Sequence, residues 1–196
     1  MTPITLLFRL QGVLQSWGTG PGSVRTTAPL PTRSGILGLI SGVMGEDSTS
    51  RVEHLRVGVR VDKTGLMITD FQTARNVVMG DGKGFKKSVI TRKHYISDGA
   101  FLAGLSGDSV LLEAIWHFLA DPIYPPYLGR TRCPPSPPVF LPDGLSILSL
   151  GEALQTYPAL AQSPLGFVFF EEMAGHGLTK MTQATFDTYR SLNHAD

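Results

Sequence analysis

Apolar residues crowd the start of the chain. Ile4, Leu6, Leu7, Phe8 and Leu10 form a short run that stops at Gln11-Gly12 and predicts a buried opening strand. A loop is expected next, through Gln15-Ser16-Trp17-Gly18 and the glycine-rich stretch up to Ser23. From Pro31-Thr32 the period becomes helical, with Ile36, Leu37, Leu39, Ile40, Val43 and Met44 as its apolar positions. Thr32 is placed to cap that helix and Gly45 to end it. Gly35, Gly38 and Gly42 share one side of it, and each costs a helix about 1 kcal/mol relative to alanine. The expectation is that a strand or a nucleic-acid backbone packs close to all three.

Val57, Val59 and Val61 alternate with Arg56, Gly58 and Arg60, the pattern of a half-buried strand over Leu55–Val61 with one basic face. Asp62-Lys63-Thr64-Gly65 predicts a tight turn that returns Leu66–Phe71 as the partner strand. Residues 72–93 change character: Arg75, Lys83, Lys86, Lys87, Arg92 and Lys93 meet only Asp81, around a glycine-rich centre at 79–85, which reads as a basic hairpin. Ser88–Ser97 and Ala100–Leu105 predict two further strands. Ser109–Leu119 predicts a second helix, capped by Asp108 and ended by Asp121-Pro122. The prolines between Tyr124 and Pro138 leave too few donors for regular structure. Leu165–Phe170 reads as a last strand, and the tail beyond Gly177 as weakly helical at most. The order strand, helix, strand, strand, basic insertion, strand, helix, strand predicts an α+β fold, a ferredoxin-like βαββαβ domain over residues 1–140. The hairpin is inserted at about 72–98, and 141–196 form a short irregular C-terminal extension. In their RRM version such sheets bind single-stranded RNA.

Composition adds a division of charge. The formal net charge is only +1, which argues against a chain that coats nucleic acid over its whole surface. Residues 1–133, however, carry 15 Lys+Arg against 10 Asp+Glu, whereas residues 134–196 carry 2 against 6. A phosphate-facing surface therefore belongs to the first part. Cys133 is the only cysteine, so no intrachain disulfide is expected, and no Cys/His cluster offers a metal site. Gly18, Gly20 and Gly22 lack dinucleotide-binding spacing, and no cofactor is expected. Arg9 interrupts the first apolar run and no basic leader precedes it, so the expectation is a cytoplasmic protein without membrane attachment.

The candidate RNA-binding residues follow from chemistry. Arg75, Lys83, Lys86, Lys87 and Arg92 offer phosphate neutralisation beside Phe85 and Tyr95, on which a base can stack. Gln15, Ser16, Trp17 and Gly18 combine amides and short side chains that approach a sugar-phosphate backbone, with Trp17 a second stacking candidate or a core anchor. Arg25 follows that loop. Thr32, Arg33 and Ser34 open a helix, whose free amides favour phosphate, unless Thr32 acts only as the cap. Arg130 and Arg132 flank a turn and carry guanidinium forks. Lys93-His94-Tyr95 has the residue types of a metal-free ribonuclease. Successive strand residues point to opposite faces, however, so the trio does not converge.

Six segments resemble, in order, the CasD family, the small RAMP-type subunit of the type I-E CRISPR complex Cascade. They are Gly12–Gly18, Pro31–Ile40, Val59–Asp62, Asp70–Thr73, Thr91–Asp98 and Tyr127–Ser136. The resemblance spans most of residues 4–140; beyond it, family members run longer, so this chain's C-terminal end is expected to be trimmed. The resemblance implies a non-catalytic subunit that holds the 5′ handle of the CRISPR RNA. It also implies that the subunit caps a filament of backbone subunits, contacts the large PAM-reading subunit, and meets target DNA only indirectly. Two other functions stay open: processing of precursor RNA through Lys93-His94-Tyr95, and a protein-interaction module built on the proline-rich stretch.

Overall fold

One long strand organises the molecule. In the computed structural model, which describes residues 4–18, 24–80, 82, 84–161, 166–172 and 179–180, the elements run as follows. They are β1 (Ile4–Gln15), β2 (Trp17–Gly18), β3 (Val24–Arg25), β4 (Thr27–Ala28), α1 (Arg33–Val43), β5 (Arg56–Lys63) and β6 (Leu66–Val78), then β7 (Phe85–Gly107), α2 (Ser109–Ala120), β8 (Leu145–Ser146), α3 (Leu150–Thr156), β9 (Gly166–Glu172) and β10 (Thr179–Lys180). The predicted strands at 88–97 and 100–105 are a single strand, β7. Its second half lies between β1 and β5, with Leu10 opposite Phe101 and Val61 opposite the same residue from the other side. Its first half leaves the core beyond the point where Gln15 of β1 lies opposite Ile96, and from there pairs with β6 and, briefly and in parallel, with β3. The main sheet runs β10-β9-β5-β7-β1-β8, and a separate pair joins β2 to β4.

This arrangement corrects the expected hairpin at residues 62–65. β6 does not return along β5; both strands run antiparallel to β7, end to end, with Lys63 opposite Ala100 and Leu66 opposite Ser97. Gly65 makes the junction with φ of +72°, and a side chain there would overlap the Ser97 carbonyl and come 2.8 Å from the Gly99 nitrogen. The last predicted strand, β9, lies beside β5, and the place beside β1 is taken by the short β8.

Both faces of the sheet are covered. Leu6, Phe8 and Leu10 of β1, Val57, Val59 and Val61 of β5 and Phe101, Ala103 and Leu105 of β7 pack with Ile36, Leu37, Ile40 and Val43 of α1 and Leu112, Ile115 and Leu119 of α2. The alternate residues Leu7 and Leu102 pack with Leu141 and with Leu150, Ala153 and Leu154 of α3. Thr32 and Asp108 cap α1 and α2 as expected, accepting from Gly35 N at 3.2 Å and Leu111 N at 2.9 Å, and Gly45 follows α1 with φ of +74°.

Helix α3 has no counterpart in the elements expected from the pattern, and it overturns the reading of β5 as a strand with a basic outer face. Arg60 is completely buried beneath it. Its Nε and one terminal nitrogen pair with both oxygens of Asp62, at 2.6 and 2.8 Å, and its terminal N–H groups also reach the carbonyls of Leu154, Tyr157 and Pro158 at 2.6 to 2.9 Å. Asp62, expected in a turn, accepts in addition from Leu160 N at 2.7 Å.

Tyr157, at the end of α3, donates to Asp143 at 2.8 Å, and burial together with that carboxylate pushes its phenol up to about 12 from an ordinary value of 10.0. The folded chain therefore holds this proton where the unfolded chain releases it, so Tyr157 contributes stability that is complete below about pH 10 and fades as the pH rises toward 12. Urea denaturation across that window is expected to show a decline in stability that Tyr157→Phe lessens.

Candidate nucleic-acid interface

The ribbon formed by β6 and the first half of β7 is exposed on both sides for most of its length. A two-stranded ribbon has no second layer, so apolar residues on it cannot be buried by the ribbon itself. Phe71, Val78, Phe85 and Ile90 are all exposed. Alternation along β7 places Lys86, Ile90, Arg92 and His94 on one side and Lys87, Val89, Lys93 and Tyr95 on the other. Arg75, Lys86, Lys87 and Arg92 are exposed, and the Arg92 guanidinium stands 5.6 Å from the Phe71 ring centre. Lys83 lies outside the described residues.

At its base the ribbon meets the segments around residues 16 and 130. β3 places Arg25 opposite Lys93 on the backbone, Ser16 donates to the His94 carbonyl at 3.2 Å, and Arg130 lies 5.1 Å from the Tyr95 ring centre while donating to Thr26 O at 3.3 Å. Residues distant in sequence thus converge on one patch. Arg132 is exposed nearby in sequence, on the same turn.

Several expected contacts change in this setting. Gln15, Ser16 and Trp17 are not in an open loop but are buried where β1 ends, and only Gly18 is exposed. The Trp17 indole donates to Gln15 at 3.1 Å, Gln15 donates to the Gly99 carbonyl at 2.8 Å, and the Trp17 ring fills the space above Gly35. Trp17 is therefore the core anchor of the two roles considered. Tyr95 is also covered, under Arg130, so neither ring has a free face for a base. Thr32 is occupied as a cap, and Arg33 donates to the carbonyls of Glu53 and Leu55, which leaves Ser34 as the exposed residue of that trio. His94 approaches Thr69 at 3.3 Å across the ribbon, on the side opposite Lys93 and Tyr95. Among the described residues no three His, Cys, Asp or Glu side chains gather at metal-binding distance.

Residues 5–192 match the family model described as CRISPR-associated protein (Cas_Cas5). The chain belongs to the Cas5 family. It is 33% identical over 162 residues to the CRISPR system Cascade subunit CasD of Escherichia coli strain K12, an alignment that covers 69% of each protein. Among solved structures it resembles one described as a crystal structure of a Cas protein, with a TM-score of 0.69, 39% identity, and coverage of 86% of this chain and 80% of the other. It also resembles a chain of a CRISPR RNA-guided surveillance complex, with a TM-score of 0.62, 33% identity, and coverage of 68% of this chain and 60% of that one. For the Cas5 chain, the mixed α/β architecture with a largely antiparallel sheet and few helices agrees with the α+β class expected from sequence. The six segments that resemble the family include the ribbon base, Thr91–Asp98, and the turn that holds Arg130.

Proposed function

We propose that this Cas5 chain is a non-catalytic subunit of a type I-E Cascade complex, and that its basic ribbon grips the 5′ handle of the CRISPR RNA. The observation that carries this reading is a ribbon exposed on both sides, with cations and unburied aromatic rings on it, continuous through β7 with the core of a Cas5-family protein. Binding is electrostatic at Arg75, Lys86, Lys87 and Arg92 and, at the base, at Lys93, Arg130 and Arg132. Stacking falls to Phe71 or Phe85, the exposed rings, instead of Trp17 or Tyr95. The neighbouring order β8-β1-β7-β5 supports treating the core as a ferredoxin-like domain with the ribbon as its insertion.

In this reading the subunit caps the backbone filament, contacts the large PAM-reading subunit, and works in the cytoplasm. The separation of His94 from Lys93 and Tyr95 favours binding over cleavage, and incubation of repeat RNA with the protein in EDTA is expected to leave it intact.

Joint replacement of Lys86, Lys87 and Arg92 by alanine is the direct test. Handle-RNA affinity should fall, and the slope of log affinity against log salt should flatten by about one for each phosphate that these cations no longer neutralise. An unchanged slope removes the ribbon from the interface.

A further inference from the structure

Of the three glycines on α1, only Gly35 is packed against another of the described residues; a side-chain carbon at Gly38 or Gly42 would meet none of them within 4 Å. The space above them is a groove of about 370 Å³ between the second half of α1 and the Tyr124-Pro125-Pro126-Tyr127 segment. Two aromatic residues flank it, with Tyr124 57% and Tyr127 43% exposed. Ser41 lines it too. That residue is only 4% exposed, and its hydroxyl has no hydrogen-bond partner among the described residues. A buried hydroxyl left unpaired is costly, which suggests that a group entering the groove completes it.

The charge of the groove distinguishes between occupants. Its charged lining residues are Glu46, paired with Arg51 at 2.9 Å, and Asp47, which has no cationic partner among the described residues. An acidic rim repels phosphate, whereas an ammonium or guanidinium group gains from Asp47, from the faces of tyrosine rings and from a hydroxyl acceptor. The glycine floor lets another backbone approach α1 closely. We propose that this groove is the docking site of a basic segment of a neighbouring protein subunit, with an arginine or lysine side chain entering toward Ser41. This rests on reading the chain as part of a ribonucleoprotein assembly, but not on where the RNA binds.

The experiment uses the chain assembled with its co-expressed subunits and guide RNA. With p-benzoylphenylalanine in place of Gly38, irradiation is expected to give an adduct to a peptide of another subunit that contains arginine or lysine. An adduct to RNA, an adduct to this chain alone, or no adduct overturns the proposal. Gly38→Leu and Asp47→Lys, introduced separately, are expected to lower affinity for the remaining subunits by about tenfold or more, the scale of effect seen when an interface anchor is removed. The isolated variants should keep their melting temperature and their affinity for handle RNA. Asp47 is exposed, so its reversal tests the groove even where Gly38→Leu disturbs folding. Unchanged assembly in the Asp47 variant refutes the inference. Failure of the unmodified chain to bind handle RNA, with the subunit adduct present, refutes the RNA reading and leaves the groove standing.

Discussion

Arg60→Ala is expected to cost the fold about 3 to 5 kcal/mol, the penalty for breaking a buried ion pair by removing one partner. The guanidinium is inaccessible to solvent and engages Asp62 through two nitrogens, together with three main-chain carbonyls at the end of α3. Its removal leaves a buried carboxylate whose remaining donor among the described residues is Leu160 N, together with the orphaned carbonyls of Leu154, Tyr157 and Pro158. Against a total stability of about 5 to 15 kcal/mol for a folded domain, that destabilisation is large. In urea the transition midpoint should fall steeply, and α3 should detach first, exposing Leu7 and Leu102 to a hydrophobic dye.

The companion variants separate charge from shape. Arg60→Lys supplies three donors from a single nitrogen and cannot reproduce the fork, so it should lose most of the same stability. The double variant Arg60→Met with Asp62→Leu should be more stable than Arg60→Ala alone, because neither partner is left charged and unpaired. A midpoint for Arg60→Ala within the range of ordinary surface substitutions would mean that the pair does not hold α3 to the sheet.

Arg60 also marks the limit of pattern reading. Alternation with valines states correctly that Arg60 faces away from α1 and α2, but it carries no information about what lies on the other side. The covering helix has seven residues, too few for a clear helical period, and its Ser149–Glu152 capping box is the one local signal of its presence. The longer helices, by contrast, are legible because apolar spacing and caps at Thr32 and Asp108 agree. Strand partners are not: Leu66–Phe71 has a strand pattern whether it pairs with β5 or with β7, and Ser97-Asp98-Gly99 looks like a turn although the strand runs through it with Asp98 at φ of +58°. In the interface, the ribbon's cations are visible as local composition. The burial of Trp17 and Tyr95 is not, since the groups that cover them, around Gly35 and Arg130, come from elsewhere in the sequence. Gly38 and Gly42 give the same signal as Gly35 while facing open space, so a glycine on a helix announces proximity without saying to what.

Gly129→Ala should have the second large effect, and it connects the core to the interface. Gly129 has φ of +81°, where alanine is strained, and a side-chain carbon there would overlap the Ser16 carbonyl, which is backbone and cannot swing aside. The turn is tied on both sides: Ser16 N donates to Leu128 O at 3.0 Å, Leu128 N to Cys133 O at 2.7 Å, and Cys133 N to Arg130 O at 2.8 Å. Relief of the overlap must therefore push the turn away from the end of β1, moving Arg130 off Tyr95 and Thr26. The expected cost is about 2 to 3 kcal/mol, the range for a forced backbone conformation plus its repacking. A specific reporter is built in. Cys133 is the only cysteine, it is fully buried, and burial raises its thiol above the ordinary value while Arg130 opposes the rise more weakly. In the unmodified chain an aromatic disulfide reagent should react slowly; in Gly129→Ala the loosened turn should expose the thiol and speed the reaction, with handle-RNA affinity falling in parallel. Gly18→Ala serves as the control, since a side chain there meets none of the described residues within 4 Å and its reactivity and stability should match the parent. Equal thiol reactivity in Gly129→Ala and the parent would show that the turn does not depend on that close approach.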